Sequence, residues 1–118
     1  MDHDRLPNYL RMYRKRACLS QDDVAFLLGE KRGAHVCRHE RFKQTPKLET
    51  LLAYEILFRT PARTLFGGVH RNVEKTLKKR VRVLVRKFTR AGYSRLVARK
   101  LEVLNLLLEQ ATGAGAQI

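Results

Sequence analysis

The sequence has no tryptophan, only 3 prolines and 2 cysteines, and no long apolar run. Cys18 and Cys37 form no CxxC pair and fall within the predicted helical region, so we expect reduced thiols rather than a disulfide framework. No stretch approaches the roughly 20 apolar residues that a membrane span requires. The start, Met1 to Asp4, lacks the basic and then apolar profile of a signal peptide. These features predict a cytoplasmic protein that does not span a membrane.

Motifs of catalysis are missing as well. The sequence contains no phosphate-cradling glycine loop, no HExxH and no Gly-x-Ser-x-Gly, and no plausible series of nucleophile, base and orienting residue. The acidic pair Asp22-Asp23 is explained by the positive end of a helix dipole. We therefore expect that the chain is not an enzyme and uses no cofactor.

Positive charge is what the sequence has in excess. Its 118 residues include 25 Lys and Arg against 11 Asp and Glu, which gives a net charge of +14. Such a field attracts polyanions, and nucleic acid is the first partner to test. Residues 1–66 carry 13 basic and 8 acidic side chains, whereas residues 67–118 carry 12 and 3. The second region is therefore the more basic one.

Apolar residues recur at helical spacing throughout, and no alternating strand pattern occurs. Residues 1–66 predict five short helices: about 6–17, about 20–28 with Ser20 as N-cap and Gly29 as terminator, about 33–41, about 46–57 and about 61–66. The third has few apolar residues and hence a thin core face. Gly67-Gly68 is expected to break the helices and to separate this domain from residues 67–118.

Two longer helices are predicted in the second region, at about 69–90 and 94–111. The first divides into an apolar half and a basic half, and the second carries a leucine-rich stripe centred on Leu101, Leu104 and Leu108. So much apolar surface needs a partner, so we expect this stripe to form a homodimer across a two-fold axis. The basic half of helix 69–90 would stay outside, either along DNA phosphates or as solubilising charge.

Two short helices joined by a glycine-containing turn, the second poor in apolar residues and rich in basic ones, are what a helix-turn-helix requires. The motifs LSQ, VA, LLG and RHER follow one another between Leu19 and Arg41, and a Pro, the run LETLLAYEILF and a closing LF come after them. Over roughly residues 5–66 this order resembles the phage-repressor and Cro type of helix-turn-helix family. The resemblance implies an all-α domain of five helices, followed here by two C-terminal helices, and homodimeric operator binding for transcriptional control.

The sequence departs from the family pattern at two positions. One extra residue stands between Gly29 and Val36, and Phe42 occupies a position where the family commonly has glycine. We expect a longer connection through residues 30–32 to absorb the extra residue, with Gly33 opening helix 3.

The resemblance also implies which residues would touch DNA, because Val36 matches the buried apolar residue of the recognition helix. The implied base contacts are Gly33, Ala34, His35 and Arg38. The implied phosphate contacts are Gln21, Lys31, Arg32, Arg41 and Lys43. Arg38 is the strongest candidate for base reading, since its planar fork can pair with guanine O6 and N7. Arg14 and Glu40 match an ion pair that would hold the recognition helix at its angle.

Each of these features also has a simpler interpretation. The basic residues of helix 3 can be an ordinary solvated face. His35 and His39, with Cys37 between them, suggest a metal site, but no third ligand is adjacent, so we expect no metal. Cys37 can be a redox switch on the reading helix, although a small buried filler is the commoner role.

The sequence as a whole predicts a sequence-specific DNA-binding transcriptional regulator that acts on double-stranded DNA as a homodimer, with repression by promoter occlusion as the expected mechanism. One alternative is an antitoxin or autoregulator of a two-gene module, whose C-terminal helices bind a protein partner. Another is a non-catalytic adaptor whose basic helix 69–90 binds acidic proteins, RNA or an anionic membrane surface.

Overall fold

A computed structural model describes residues 7–113, and this part of the chain is all-helical. Its helices are α1 (Leu10–Arg16), α2 (Gln21–Leu27), α3 (Gly33–Glu40), α4 (Leu48–Phe58), α5 (Ala62–Leu65), α6 (Gly67–Arg90) and α7 (Arg95–Gly113). They form two compact units, the first ending at Arg71 and the second beginning at Asn72, so the division lies inside α6. None of the helices in residues 7–113 combines the length and the apolar character needed to span a membrane.

Local signals at both ends explain why α2 forms where the sequence predicts it. The Ser20 hydroxyl accepts a hydrogen bond from the Asp23 amide, and the Asp23 carboxylate accepts one from the Ser20 amide, each at 2.9 Å. These bonds to Ser20 lower the pKa of the Asp23 carboxyl. Gly29 ends the segment at φ +76°, a left-handed conformation that glycine adopts without strain.

The first unit is built around one core to which α1 to α5 and Phe66 contribute. Its buried apolar residues are Leu10, Val24, Ala25, Val36, Tyr54, Leu65 and Phe66. Burial of an aliphatic or aromatic side chain of this size contributes about 1.5–3 kcal/mol. α3 supplies only Val36 to this cluster, so its core face is thin, as predicted.

A buried polar contact adds to the packing of α3. His39 Nδ1 lies 2.9 Å from the Tyr54 hydroxyl, and the Asn8 side-chain amide donates to the His39 carbonyl at 3.0 Å. Burial lowers the pKa of His39 and raises the pKa of Tyr54, so both side chains are neutral at neutral pH. His39 is therefore a packing residue with a satisfied ring nitrogen.

The predicted break between two helical regions falls one residue before Gly67-Gly68, and the glycines themselves do not form it. The interruption between α5 and α6 is at Phe66, whose backbone has φ −114° and ψ 46°. Both glycines belong to the first turn of α6. A Cβ on Gly67 would lie 3.4 Å from Tyr9 Cε2, and Gly68 is buried. Both glycines are therefore helical instead of forming a flexible linker, and a Cβ on Gly67 would make an ordinary contact with Tyr9.

In the second unit, Gly92 at φ +91° follows α6, and the Ser94 hydroxyl accepts from the Val97 amide at 3.1 Å at the start of α7. The side chains predicted to form the centre of a dimer, Leu101, Leu104 and Leu108, are only half-exposed. More exposed apolar side chains on α7 are Leu96, Val103, Leu106 and Leu107. The apolar surface open to a partner is therefore displaced around α7 from the predicted stripe.

Candidate nucleic-acid interface

Helix α3 has one buried face and one exposed face. Val36 and His39 point into the core of the first unit. Ala34 and Arg38 are exposed on α3, and Arg41, the exposed residue that caps the helix, continues along the same side because the three residues are spaced by four and then three. This exposed strip is mostly basic.

Gly33 fixes how closely α3 approaches α2. Its amide donates to Asp22 Oδ1 at 3.0 Å, and a Cβ at this position would lie 2.4 Å from the same oxygen and 3.1 Å from the Asp22 nitrogen. A side chain at this position would require the Asp22 carboxylate to move away and would crowd the backbone of residues 21 and 22, the nearest atoms of which lie at 3.1 and 3.2 Å. Because Gly33 is buried and its amide is already bonded, it lacks the exposure that the implied base contact requires.

Arg38 is exposed but not loosely held. Its Nε donates to Gln44 Oε1 at 3.1 Å, and its Nη2 lies 3.3 Å from His35 Nδ1. The His35 ring also lies 3.9 Å from a Glu30 carboxylate oxygen. Holding a guanidinium in place before binding reduces the conformational entropy that binding would cost. Sequence reasoning did not identify Gln44, since a glutamine in a polar loop carries no distinguishing signal.

The turn after α3 supports this arrangement. The amides of Lys43 and Gln44 both donate to the Arg38 carbonyl, at 2.8 and 3.3 Å, which closes the C-terminus of the helix. Phe42 takes the left-handed position of this turn at φ +54°. Phe42 therefore adopts a left-handed conformation that glycine most often takes at the end of a helix.

The implied phosphate contacts fall into two groups. Lys31 and Arg32 precede α3, Arg41 and Lys43 follow it, and all four side chains are exposed. Gln21 is half-buried instead, and its Nε2 donates to Glu40 Oε1 at 3.2 Å. Gln21 is therefore engaged within the protein, whereas the four cations point to solvent at both ends of α3.

Arg14 and Glu40 form a bidentate ion pair that joins α1 to the end of α3. Arg14 Nε lies 2.5 Å from Glu40 Oε2, and Nη2 lies 3.2 Å from Oε1. Their side chains are 10% and 4% exposed. The hydrogen bond from Arg14 to Glu40 raises the pKa of the guanidinium. Arg14 Nη1 also donates to the Leu19 carbonyl at 3.0 Å, so one side chain connects three segments.

No group of three or more His, Cys, Asp and Glu side chains among the described residues is arranged to hold a metal ion. Comparison of the chain with protein-family models, with curated proteins and with solved structures found no match. Its function therefore has to follow from the geometry and charge of its own residues.

Proposed function

We propose that the chain is a sequence-specific DNA-binding transcriptional regulator that places α3 in the major groove of double-stranded DNA. The observation that carries the proposal is the division of α3 into a face buried by Val36 and His39 and an exposed basic strip along Ala34, Arg38 and Arg41. A major groove admits an α-helix with this arrangement. In this proposal α2 and α3 are the two helices of a helix-turn-helix unit joined by residues 28–32.

Arg38 is the proposed base-reading residue. Its guanidinium has two donors in a planar fork, which matches the N7 and O6 acceptors of guanine. Ala34, one turn earlier on the same side, offers a methyl group for contact with a thymine methyl. His35 contributes a ring nitrogen next to Arg38. Gly33 has no contact with a base in this proposal, because it is buried against Asp22.

The exposed cations at the two ends of α3 are proposed to bind phosphates. Lys31 and Arg32 lie before the helix and Arg41 and Lys43 after it, so they can meet the backbone on either side of the groove. Contacts of this kind fix the position of a protein on DNA and carry no sequence information directly. They supply most of the salt-dependent part of the affinity.

A homodimer is proposed to form through the second unit. Leu96, Val103 and Leu107 are exposed and spaced by seven and four residues, so they follow one stripe of α7. A two-fold axis would bring this stripe against the same stripe of a second copy. A repressor built in this way would carry one α3 per half-site, about one DNA turn apart, and would act by occluding a promoter.

Competition binding on the purified full chain tests the proposal. DNA from a genomic selection is labelled, and random duplex is the competitor. We expect a preference of at least about 10³ for the selected site over random duplex at physiological salt. Equal binding of both would contradict sequence-specific regulation.

The basic half of α6 favours a second candidate, an adaptor that binds acidic partners without sequence preference. Lys75, Lys79, Arg82 and Arg86 are all exposed on this half of the helix. An adaptor would lose binding when Lys79, Arg82 and Arg86 are changed to Gln, and would be unaffected by changes in α3. In a regulator, changes in α3 would reduce the preference for the selected site over random duplex, whereas the changes in α6 would leave that preference unaffected. Neutralising Arg11, Lys15 and Arg16 of α1, which are also exposed, is the control for loss of charge alone.

A further inference from the structure

One side of α6 in the second unit carries a row of positive charges. At about 100° per residue, every one of residues 75–90 that falls within one arc of about 80° is a lysine or an arginine. This cationic row consists of Lys75, Lys79, Arg82, Arg86 and Arg90, and all five side chains are exposed. At a rise of about 1.5 Å per residue, the row is about 22 Å long.

The cationic row is neither covered nor neutralised by the fold. Val81, at 4% exposure, marks the buried side of α6, and each member of the row lies at least about 100° around the helix from it. None of the five side chains forms a hydrogen bond or ion pair with another residue that the structure describes. The only acidic residue of α6 is Glu74, and its carboxylate lies 4.0 Å from Lys78, which is outside the row. The positive charge of the row is therefore available to a partner.

Repulsion within the cationic row is unfavourable for the free helix. Successive members are spaced by four, three, four and four residues, and like charges at these spacings destabilise a helix. Surface charge that only keeps a protein in solution is of both signs, interspersed. Such a pattern occurs on α7, where Arg99 donates to Glu102 at 2.9 Å. The row has one sign over its whole length, which is typical of a surface that binds a polyanion.

The surroundings of the cationic row distinguish between polyanions. Single-stranded nucleic acid is held by aromatic side chains on which its bases stack, and the row has none. A helix that lies on a membrane inserts its apolar half into the lipid. In the apolar half of α6, Val81 is buried and Lys100 lies over the Phe88 ring at 4.9 Å from its centre, so this half is partly covered within the second unit. Phosphates of a duplex need only exposed cations, because these contacts do not read the bases.

We propose that the cationic row is a second DNA-binding surface, separate from α3, which holds the phosphate backbone of a duplex without reading its sequence. Each cation that neutralises a phosphate releases counterions and contributes about 0.9 unit to the slope of log affinity against log salt. The row would thus add affinity for any duplex and leave unchanged the preference that α3 provides. The choice of DNA as the duplex rests on the proposed function, whereas binding of the phosphate backbone does not.

Two double variants of the full chain, matched residue by residue, test the proposal. Lys79→Gln with Arg86→Gln removes two members of the cationic row. Arg80→Gln with Lys87→Gln is the control, because it removes the next residue along α6 in each case, and these exposed side chains point about 100° away around the helix. Each double variant loses one lysine and one arginine, so both have the same net charge. Circular dichroism checks that each keeps the helix content of the unmodified chain.

The readout is the fluorescence anisotropy of a labelled random duplex between about 50 and 200 mM salt. The row variant should reduce the salt slope by about 1.8 units per bound chain, since two phosphate contacts are lost. The control should reduce the slope by less than half of that amount. In the row variant, a duplex that carries the selected site should lose affinity by the same factor as the random duplex, because the row does not read bases.

Two results would overturn the proposal. Equal losses in the two double variants would show that only the net charge of the chain matters. No loss of duplex binding in the row variant would show that the row does not touch the duplex, and a concurrent loss of binding to phosphatidylserine vesicles or to polyglutamate would assign it to a membrane or to an acidic protein instead. Failure of the proposed function has a different result: the unmodified chain would bind selected and random duplex equally, and the comparison of the two double variants would still be valid.

Discussion

Removing one charge from the Arg14–Glu40 ion pair should destabilise the first unit strongly. Glu40→Gln keeps the shape of the side chain and removes its charge, which leaves the Arg14 guanidinium at 10% exposure without a counterion. The loss of one partner of a buried pair costs about 3–5 kcal/mol, because the remaining charge is neither hydrated nor paired. Whole domains are stable by about 5–15 kcal/mol, so this change would remove a large part of the stability.

A double-mutant cycle separates the pair from the effects of each side chain. Arg14→Met should cost a similar amount, since Glu40 would keep only the hydrogen bond from Gln21 at 3.2 Å. The double variant removes both charges and should therefore be more stable than the sum of the single losses predicts, by about 0.5–3 kcal/mol. The pair Arg99–Glu102 on α7 is the matched control. Its side chains are 68% and 61% exposed, and the same substitutions there should change stability by less than about 1 kcal/mol.

Urea unfolding followed by circular dichroism gives the free energy of unfolding of each variant. Hydrogen exchange of the Val24 and Val36 amides, which lie in the core of the first unit, reports that unit separately from α7. The reasoning would be refuted if the two single losses were small and their sum equalled the loss in the double variant. It would also be refuted if the exposed control pair behaved like the buried one.

Four further predictions concern DNA contacts, pH and assembly. Arg38→Ala should weaken binding to the selected site by about 1–3 kcal/mol and relax the base preference at one position per half-site, as measured by a base-substitution scan. An unchanged base-preference profile would mean that Arg38 contacts only phosphate or solvent. Lys43→Ala should weaken binding to selected and random DNA alike and reduce the slope of log affinity against log salt by about one unit, and a loss confined to the selected site would contradict this role. Burial lowers the pKa of His39 below its ordinary value of 6.5, so the unfolded chain takes up the proton first as the pH decreases. The contribution of His39 to the free energy of unfolding should therefore be complete above about pH 6.5 and should be lost as the pH falls below that value. His39→Gln should flatten this dependence of the unfolding free energy on pH in urea titrations. Leu107→Glu should convert the proposed dimer to a monomer in sedimentation, while Asn105→Glu, an exposed position on the opposite side of α7, should not. A dimer that survives the first change would place the interface elsewhere.

The parts of the fold that the sequence predicts well are those controlled by local chemistry. Ser20 and Asp23 bond to each other within four residues, and Gly29 takes a left-handed conformation that its own lack of a side chain favours. The Gly67-Gly68 pair has the same local signal for a break, but both glycines are helical despite their weak helix propensity. They lie where the chain passes close to Tyr9, a tertiary proximity that local sequence does not reveal.

The candidate site shows the same contrast. The resemblance implies the contact between Arg14 and Glu40, and the structure brings these residues together across 26 positions of sequence. The resemblance does not indicate that Gly33 packs against Asp22 or that Gln44 holds Arg38. Both contacts depend on how α2, α3 and the following turn meet in space. The spacing of apolar residues also predicts the leucine-rich helix α7. It does not predict which side of α7 is partly buried and which side stays exposed.

Gln21 connects the stability of the first unit to its proposed function. Its side-chain amide donates to Glu40 Oε1, an oxygen that also accepts a hydrogen bond from Arg14 Nη2. If Gln21 turned towards a DNA phosphate, Glu40 would still keep both hydrogen bonds from Arg14, so the carboxylate would not be left unpaired. Exchanging the bond to Glu40 for one to a phosphate would therefore cost little, since one charge-assisted hydrogen bond replaces another. Because Arg14 keeps Glu40 paired, the Gln21 amide can bind Glu40 in the free protein and a DNA phosphate in the proposed complex.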